Sequence, residues 1–445
     1  MPHSLASPAV RRRRGQVLVM TSVMIVPLFG LLGLVADLGY MQYLRRSAQT
    51  AADAAAQAAI IQFHSIAAGS AYACGGSVVC QSTQTSCPAS ITTPSNPVEN
   101  GCMYATQNGF SPSTTQTVKY TAGTGTPPTA PGVSTAYWVT FYVTQQVPQM
   151  FSAVAGNTTG VIAARATAAV APSKDCVYAL SRTAPQGLSV GGTASLTSSC
   201  GIYVNSTSST ALSTNGGGDI TAPEYDISGG VSTHSPLVPT PNTGAPPASD
   251  PLAGLTTPAS APYTCDYKNF TSKNSDVTLT PGVYCGGINV GNATYTFNSG
   301  NYILVGGGLT TQSTNSHIVG NGVMFYNTFG NTDKGNFSYS PININANSTV
   351  SLTAPNSGTY AGILFFEDRN APENYDSYGG GSTATYQGVI YAKNADITLY
   401  GNSSVTSQYT IIVANTISLI GTSGLNNNYS SLTNGSPIQR VTLVE

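Results

Sequence analysis

The sequence TLTPGVY (278–284) returns 18 residues later as TFNSGNY (296–302), with Thr, Gly and Tyr at matching places. Directly after it, Gly-Gly-Ile at 286–288 is followed 21 residues later by Gly-Gly-Leu at 307–309. Repeats of about 20 residues with short apolar strands and Gly-rich turns are typical of solenoids. This stretch therefore predicts a β-solenoid whose turns each bury a few apolar side chains.

Short apolar triplets separated by Gly, Asn and Ser extend this pattern in both directions along the chain. We predict a mainly β fold, with a right-handed parallel β-helix-like domain over 174–445. A β-sandwich is the alternative, because it also has short strands with regular turns. The segment 236–262 is Pro-rich and is predicted to be a long surface excursion from this domain.

Charge is scarce and unevenly distributed in this chain. Charged residues are 7 % of the sequence, and six of the 16 basic residues precede residue 47. From residue 64 onward, 10 basic and 15 acidic side chains leave a net charge of −5. A neutral to acidic bulk without a basic patch argues against nucleic-acid binding.

An uncharged, apolar segment occupies 17–36, and its 20 residues would span about 30 Å as a helix. Four arginines, Arg11, Arg12, Arg13 and Arg14, precede it in a basic head at 1–15. This charge bias predicts a single-pass membrane helix with the N-terminus in the cytoplasm and the bulk of the chain outside. A cleaved signal peptide and a buried core helix are the alternatives.

The helix is predicted to continue beyond this segment, so that it covers 16–63 in total. Residues 38–63 are rich in Ala and contain no Pro, which favours helix. Such a helix resembles the long N-terminal helix of a pilin, half in the bilayer and half packed on a soluble domain. Its packing face at spacings of three and four consists of Leu44, Ala48, Ala51, Ala52, Ala55, Ala59 and Phe63.

A longer motif surrounds this helix: Gly15, an apolar run, and GLVADLGYMQYLRRSAQTAADAAAQAA (33–59). It resembles the TadE/TadG-like N-terminal region of tight-adherence (Flp) pilus-assembly proteins. The resemblance implies membrane anchoring and a role in assembling or displaying a pilus, with pilus-system or envelope proteins as partners. Processed members carry Glu five residues after the Gly, whereas this chain has Met20 there. The TadG-like branch therefore fits better than the pseudopilin branch.

All eight cysteines follow residue 70 and lie outside the cytoplasm in this topology. An even number of cysteines in an exported region predicts disulfides, and the spacing does not suit zinc. Cys176 with Cys200 and Cys265 with Cys285 are each about one solenoid turn apart, so each pair would join neighbouring turns. The pairing among the other four stays open: Cys74, Cys80, Cys87 and Cys102.

Two further segments separate the helix from the solenoid. Residues 64–132 are predicted to be an irregular, disulfide-pinned insertion. Residues 133–173 are predicted to be a small α+β module, since AYWVTFYV (136–143) and GVIAARATAAVA (160–171) have the composition of strands.

One loop, 367–376, concentrates charge in this charge-poor chain. Paired carboxylates there could act as acid and base on a glycan or hold Ca²⁺. A solvated loop between strands is the simpler interpretation, so we predict no catalytic residue, cofactor or metal site. The charged residues of this loop are Glu367, Asp368, Arg369, Glu373 and Asp376.

Together these features predict a non-enzymatic, membrane-anchored component of a tight-adherence pilus system, in the bacterial inner membrane with its bulk periplasmic or extracellular. Its β-rich domain would present a surface to proteins or surface glycans. The alternatives are an anchored adhesin independent of pili and, third, a carbohydrate-active β-helix enzyme.

Overall fold

The computed structural model describes residues 16–66, 74–76, 78–272, 274–312, 315–381, 384–400, 409–420, 423–425, 432 and 436–445. The predicted basic head, with Arg11, Arg12, Arg13 and Arg14, lies outside the described residues. The chain forms two compact units. Unit 1 consists of Met1–His64, Ala73–Val170 and Val441–Glu445, and unit 2 consists of Ser65–Tyr72 and Ala171–Arg440.

The described residues contain two α-helices, one 3-10 turn and short strands along most of the chain. In chain order, the elements up to the end of the first sheet are α1 (Gln16–Ile66), β1 (Gln81–Ser86), α2 (Pro97–Gln107), β2 (Gln116–Gly123), β3 (Tyr137–Pro148), the 3-10 turn Ser152–Ala155 and β4 (Thr159–Pro172). The next strands are β5 (Asp175–Ala179), β6 (Leu188–Val190), β7 (Ser195–Ser198), β8 (Gly201–Val204), β9 (Leu212–Thr214), β10 (Asp219–Thr221), β11 (Tyr225–Ile227), β12 (Val231–Ser232) and β13 (Asn242–Thr243). They are followed by β14 (Tyr267–Ser272), β15 (Val277–Leu279), β16 (Gly282–Val290), β17 (Thr294–Phe297), β18 (Gly300–Val305), β19 (Leu309–Thr311), β20 (His317–Asn321), β21 (Val323–Thr328), β22 (Gly330–Thr332) and β23 (Gly335–Phe337). The last strands are β24 (Asn343–Ile344), β25 (Thr349–Thr353), β26 (Ile363–Glu367), β27 (Asn374–Tyr378), β28 (Thr385–Leu399), β29 (Thr410–Leu419), β30 (Ser423–Leu425) and β31 (Gln439–Leu443).

Unit 1 is a five-stranded sheet with the order β1-β2-β3-β4-β31. The pairs β1–β2, β2–β3 and β3–β4 are antiparallel. The last strand comes from the C-terminus, where Val444 N–H donates to the Thr167 carbonyl at 2.9 Å. The end of the chain therefore completes the sheet of the N-terminal unit.

The segment 64–132 is not irregular as predicted, because it contains β1, α2 and β2. Helix α2 begins at an N-cap, Asn96, whose side chain accepts from Glu99 N–H at 2.9 Å, and Pro97 occupies the first turn. The disulfide Cys87–Cys102 joins this helix to the region after β1. The sequence did not indicate β1 because this strand is polar and rich in Ser and Thr, without the apolar alternation that marks a strand.

The large sheet of unit 2 is built from three parallel ladders that share long strands. Ladder A joins β14, β16, β18, β21, β26, β28, β29, β5, β8, β11 and β13 in that spatial order. Ladder B joins β14, β16, β19, β24, β27, β28, β29, β6, β9 and β12. Ladder C joins β15, β17, β20, β25 and β28.

This pairing confirms a mainly β, parallel architecture in which the sheet closes on itself. Strand β28 bends through all three ladders, so one strand contributes to each side. A β-sandwich would need antiparallel pairs, and the described pairs of the large sheet are parallel. The right-handed coil stays a prediction.

The order of turns along ladder A differs from the order of the chain. Strand β29, late in the sequence, pairs with β5 and β6, the first strands of the unit. The two ends of ladder A are consequently β13 and β14, which follow one another in the chain. Residues 244–266, here called the strap, connect these ends. Eleven strands at about 4.8 Å spacing require it to cover about 48 Å, within reach of its extended length.

The strap lies along the side of the large sheet and takes up most of the Pro-rich excursion predicted at 236–262. Near one end, the Ala248 N–H donates a hydrogen bond to the Asn205 side-chain oxygen at 2.8 Å. Further along, Tyr391 donates to Asp250 at 2.7 Å. Near the other end, the Tyr263 N–H donates to the Asn331 carbonyl at 3.0 Å. These contacts fix the strap along its length.

Four disulfides are formed, and the described residues contain no free cysteine. Cys176–Cys200 joins the β5 and β8 turns, and Cys265–Cys285 joins the β14 and β16 turns. The remaining pairs, which the sequence left open, are Cys74–Cys80 and Cys87–Cys102.

Asp175, at the start of β5, is buried, and its Oδ1 has no hydrogen-bond partner. Burial raises the pKa of this carboxyl to about 6, partly opposed by Lys174; Asp226 and Glu224 raise it further and Arg440 lowers it. Because the folded-state pKa exceeds the unfolded value, the ionised carboxylate destabilises the fold fully above pH 6 and not below about pH 4.

We expect Asp175→Asn to stabilise unit 2 at pH 8 by about 2 kcal/mol, since the uncharged amide avoids this desolvation cost. The gain should shrink below pH 6 and vanish near pH 4. Urea unfolding at a series of pH values measures it. Asp219→Asn, an exposed carboxylate on β10, is the control and should change little. A gain that persists unchanged at pH 4 would contradict this account.

Candidate functional site

Helix α1 has two halves with different surroundings. Its second half packs on the rest of unit 1 through small side chains, which allow close approach to helix α2 and to the sheet. The closeness is evident at Gly101 of α2, where an added Cβ would lie 2.6 Å from the Ala55 carbonyl oxygen. Phe63 stacks on Tyr137 at 4.0 Å. The predicted packing face is confirmed except at Leu44, which is half-buried; its buried members are Ala48, Ala51, Ala52, Ala55, Ala59 and Phe63.

The first half of α1 leaves large apolar side chains uncovered. Met20 is 72 % exposed and Val35 is 68 % exposed. In the described part of the chain, no helix combines the length and the apolar character that a membrane crossing needs. The transmembrane segment predicted at 17–36 stays a prediction. The other exposed apolar side chains here include Val19, Val23, Met24, Leu28 and Leu34.

Asp37, the first residue of the Asp-Leu-Gly motif, fixes the 3-10 turn after β3. Its Oδ2 accepts from the Ser152 N–H at 2.7 Å, the Ser152 hydroxyl at 2.8 Å and the Phe151 N–H at 3.0 Å. Its Oδ1 accepts from the Met150 N–H at 3.1 Å. These donors, the Ser152 N–H foremost, lower the pKa of Asp37 below its ordinary value. The motif carboxylate therefore ties α1 to the β3–β4 connection.

We expect Asp37→Asn to lower the melting temperature of unit 1 at neutral pH, because the amide NH₂ would face N–H donors. The lowered pKa means that the carboxylate stabilises the fold above its unfolded pKa and loses this effect as the pH falls. The difference between wild type and variant should therefore shrink below about pH 4. Asp53→Asn is the matched control, since Asp53 on the same helix accepts a Gln49 side-chain bond at 2.9 Å. Equal losses from both variants would refute this role.

The loop 367–376 is resolved into separate roles by the structure. Asp368 accepts from Thr328 at 2.6 Å and from Tyr326 at 3.0 Å. Arg369 donates to the Leu255 carbonyl of the strap at 2.8 Å, and Glu373 is exposed. None of these three joins the remaining two carboxylates, Glu367 and Asp376, which are buried.

Glu367 and Asp376 form the core of a polar cluster under ladders A and B, and they are 3 % and 1 % exposed. The Glu367 Oε1 accepts from the Tyr339 hydroxyl and from Asn374 Nδ2 at 2.9 Å. The Asp376 Oδ1 accepts from the Ile342 N–H at 2.8 Å. Burial raises the pKa of both carboxyls well above ordinary values, and for Glu367 the neighbouring Asp376 raises it further.

This geometry does not suit acid–base chemistry on a polymer, because a glycan could not reach carboxyls so deeply buried. A hydrolase needs its acid and base at an open surface. Among the described residues, no three His, Cys, Asp or Glu side chains lie close enough to hold a metal ion. This absence concerns only those four residue types and does not include the side-chain amide oxygens of Asn and Gln.

Three members of these sites escaped the sequence-based reasoning. Tyr339 donates to Glu367 and accepts from Asn327, and both lie on other turns, so nothing local marks them. Asp37 belongs to the Asp-Leu-Gly motif, but its role as an acceptor depends on the distant turn at Ser152.

Unit 1 thus consists of a long N-terminal helix, half packed on an antiparallel sheet and half carrying exposed apolar side chains. Residues 15–70, which contain this helix, match the protein-family model described as putative Flp pilus-assembly TadE/G-like. This match confirms the resemblance inferred from the helix sequence, over a small part of the 445-residue chain. No curated protein and no solved structure matches the chain.

Proposed function

We propose that this protein is a non-enzymatic component of a tight-adherence (Flp) pilus assembly or display system. The observation that carries the proposal is the match of residues 15–70 to the TadE/G-like model. The two halves of helix α1 support it. The second half packs on the protein's own sheet, whereas the first half exposes apolar side chains that need another apolar environment.

We assign that environment to the cytoplasmic membrane, with the N-terminus inside. Support comes from the uncharged sequence at 17–36, the preceding arginines and the exposed apolar side chains of the first half of α1. Met150, beside the Asp37-bound turn, is 77 % exposed and adds to this apolar surface. Unit 2 would then lie outside the cytoplasm, where its disulfides are stable.

Unit 2 serves in this proposal as a display domain for protein or surface contacts. Its low charge excludes strong electrostatic recognition of nucleic acid. The burial of Glu367 and Asp376 supports a role without catalysis, since these are the paired carboxylates of the loop that the sequence marked for glycan chemistry.

Site-specific photo-crosslinking in the native bacterium tests the pilus assignment. A crosslinking amino acid at Tyr43, 67 % exposed on α1, should capture pilus-system proteins. The same probe at Tyr104, 41 % exposed on α2 of unit 1, is the matched control for non-specific capture. Capture of other envelope proteins only, together with normal piliation of a deletion strain, would favour an adhesin independent of pili. Glycan cleavage lost in Glu367→Gln would favour the enzyme.

Membrane extraction tests the anchor separately. Wild-type protein should stay in the membrane pellet after alkaline carbonate treatment, because its apolar contacts are not electrostatic. Val23→Glu combined with Met24→Glu should release most of it, since charges at the centre of a membrane helix cost about 2.5 kcal/mol or more each. Gln57→Glu, exposed on the second half of α1, should not. Wild-type release into the supernatant would refute the anchor.

A further inference from the structure

The polar cluster around Glu367 contains three buried oxygen atoms without a hydrogen-bond partner: Glu367 Oε2, Asn327 Oδ1 and Asn374 Oδ1. They belong to neighbouring residues. Asn327 is in register with Glu367 on the neighbouring strand, and Asn374 Nδ2 bonds the other oxygen of the same carboxylate at 2.9 Å. Buried polar atoms normally have partners, so three in one place indicate a missing component.

The orientation of both amides is determined by their neighbours. Asn327 Nδ2 donates to the Ser340 carbonyl and to the Tyr339 hydroxyl, each at 3.0 Å. Asn374 Nδ2 donates to the Pro372 carbonyl at 3.0 Å as well as to Glu367. Reversing either amide would direct its oxygen at another acceptor. The unpaired atoms are therefore all acceptors, and the missing component must be a donor or a cation.

Charge decides between these two. Glu367 and Asp376 bring two carboxylates into a buried site, where an uncompensated charge is costly. In the described part of the chain, the ion pairs involve other residues. The nearest basic side chain in sequence, Arg369, is engaged elsewhere: it donates to the Leu255 carbonyl of the strap at 2.8 Å and, through Nε, to the Tyr391 hydroxyl of β28 at 2.8 Å. A divalent cation would neutralise both carboxylates and satisfy the acceptor oxygens together.

We propose that Glu367, Asn327 and Asn374 ligate a hard divalent cation of the Ca²⁺ class in a buried site, with the Asp376 carboxylate as a further negative charge beside it. Carboxylate and amide oxygens are the ligands that Ca²⁺ takes in proteins. Asn327 is 2 % exposed, so its unpaired oxygen is directed into the cluster and not into solvent. The site goes beyond the pilus proposal and does not depend on it.

Such an ion would join three elements, β21, the end of β26 and the start of β27, at the middle of the large sheet. It would also hold the Tyr339 segment, because the Tyr339 hydroxyl donates to Glu367. The expected consequence is structural: unit 2 gains stability on binding, as for any ligand that binds only the folded state.

Calcium titration of the full-length purified protein, stripped with EGTA, tests the site. Isothermal titration with CaCl₂ should show one ion per chain, and millimolar Ca²⁺ should raise the melting temperature of unit 2. Glu367→Gln should weaken binding about tenfold or more, since loss of even an indirect partner of a metal site costs that much. Glu373→Gln, exposed on the same loop, should bind as wild type. MgCl₂ should bind more weakly, because Mg²⁺ keeps its waters.

Absence of Ca²⁺ binding to wild type would overturn the proposal, whether or not the Glu367→Gln variant folds. So would equal binding by wild type and a folded Glu367→Gln variant. In either case the acceptors are satisfied by water and a carboxyl proton, and Glu367→Gln should then raise stability with no response to EGTA.

Discussion

Phe325→Ala is expected to destabilise unit 2 by about 3–5 kcal/mol, the cost of emptying a large buried aromatic site. Phe325 on β21 is fully buried, and its ring centroid lies 5.0 Å from Phe297 and 5.2 Å from Phe365. The Tyr302 ring, on the preceding turn, lies 5.4 Å from the Phe325 ring, measured between centroids. The ring thus belongs to a stack that runs through successive turns, and a cavity there removes contacts to the turns on both sides.

Urea unfolding followed by tyrosine signals of unit 2 measures this effect. Tyr375→Ala is the control, because Tyr375 is an exposed aromatic residue of the same unit and should change stability by less than about 0.5 kcal/mol. A loss below about 1 kcal/mol from Phe325→Ala would show that the interior collapses around the gap, and the stack would then contribute little.

Gly307→Ala is expected to cost about 3 kcal/mol or more, from two separate causes. Gly307 has φ +78°, a left-handed conformation that strains other residues by about 1–2 kcal/mol. An added Cβ would also overlap the Gly286 carbonyl of the preceding turn, and overpacking adds about 1–3 kcal/mol. An added Cβ at Gly287 would overlap the Gly308 carbonyl, and one at Gly308 would overlap the Pro341 carbonyl, so a side chain is excluded at these corner positions too.

Gly358→Ala separates the two causes. Gly358 has a similar φ of +86°, but an added Cβ would meet nothing within 4 Å. It should show the strain alone. If both variants lose the same stability in urea unfolding, close stacking of the glycine corners is not what excludes a side chain at Gly307.

The repeat at 278–309 predicted the strands correctly because its spacing in the sequence equals the spacing of residues that pair between neighbouring strands. Thr278 is in register with Thr296, a separation of 18 residues, and Ile288 with Leu309, a separation of 21. A solenoid repeats its turn chemistry in the sequence, so apolar triplets and paired glycines predict strands and corners. The Ala-rich face of α1 was equally readable, since helical periodicity is local.

The sequence did not predict which polar residues are buried. The loop 367–376 shows five charged side chains in the sequence, yet only Glu367 and Asp376 enter the interior. Tyr339, which donates to Glu367, and Asn327, which donates to Tyr339, lie on other turns, and Asn is frequent throughout this chain. No local pattern distinguishes these residues from ordinary turn residues.

By itself, the sequence determined the local elements: the long helix, the strands and corners of the solenoid, and the family resemblance of the N-terminal segment. Only the tertiary structure decided which turn stacks on which. Open strand edges accept any strand of suitable register, because their backbone hydrogen bonds do not depend on side-chain identity. This is why β29 could pair with β5, why the strap must span the sheet, and why the C-terminal β31 could join the sheet of unit 1.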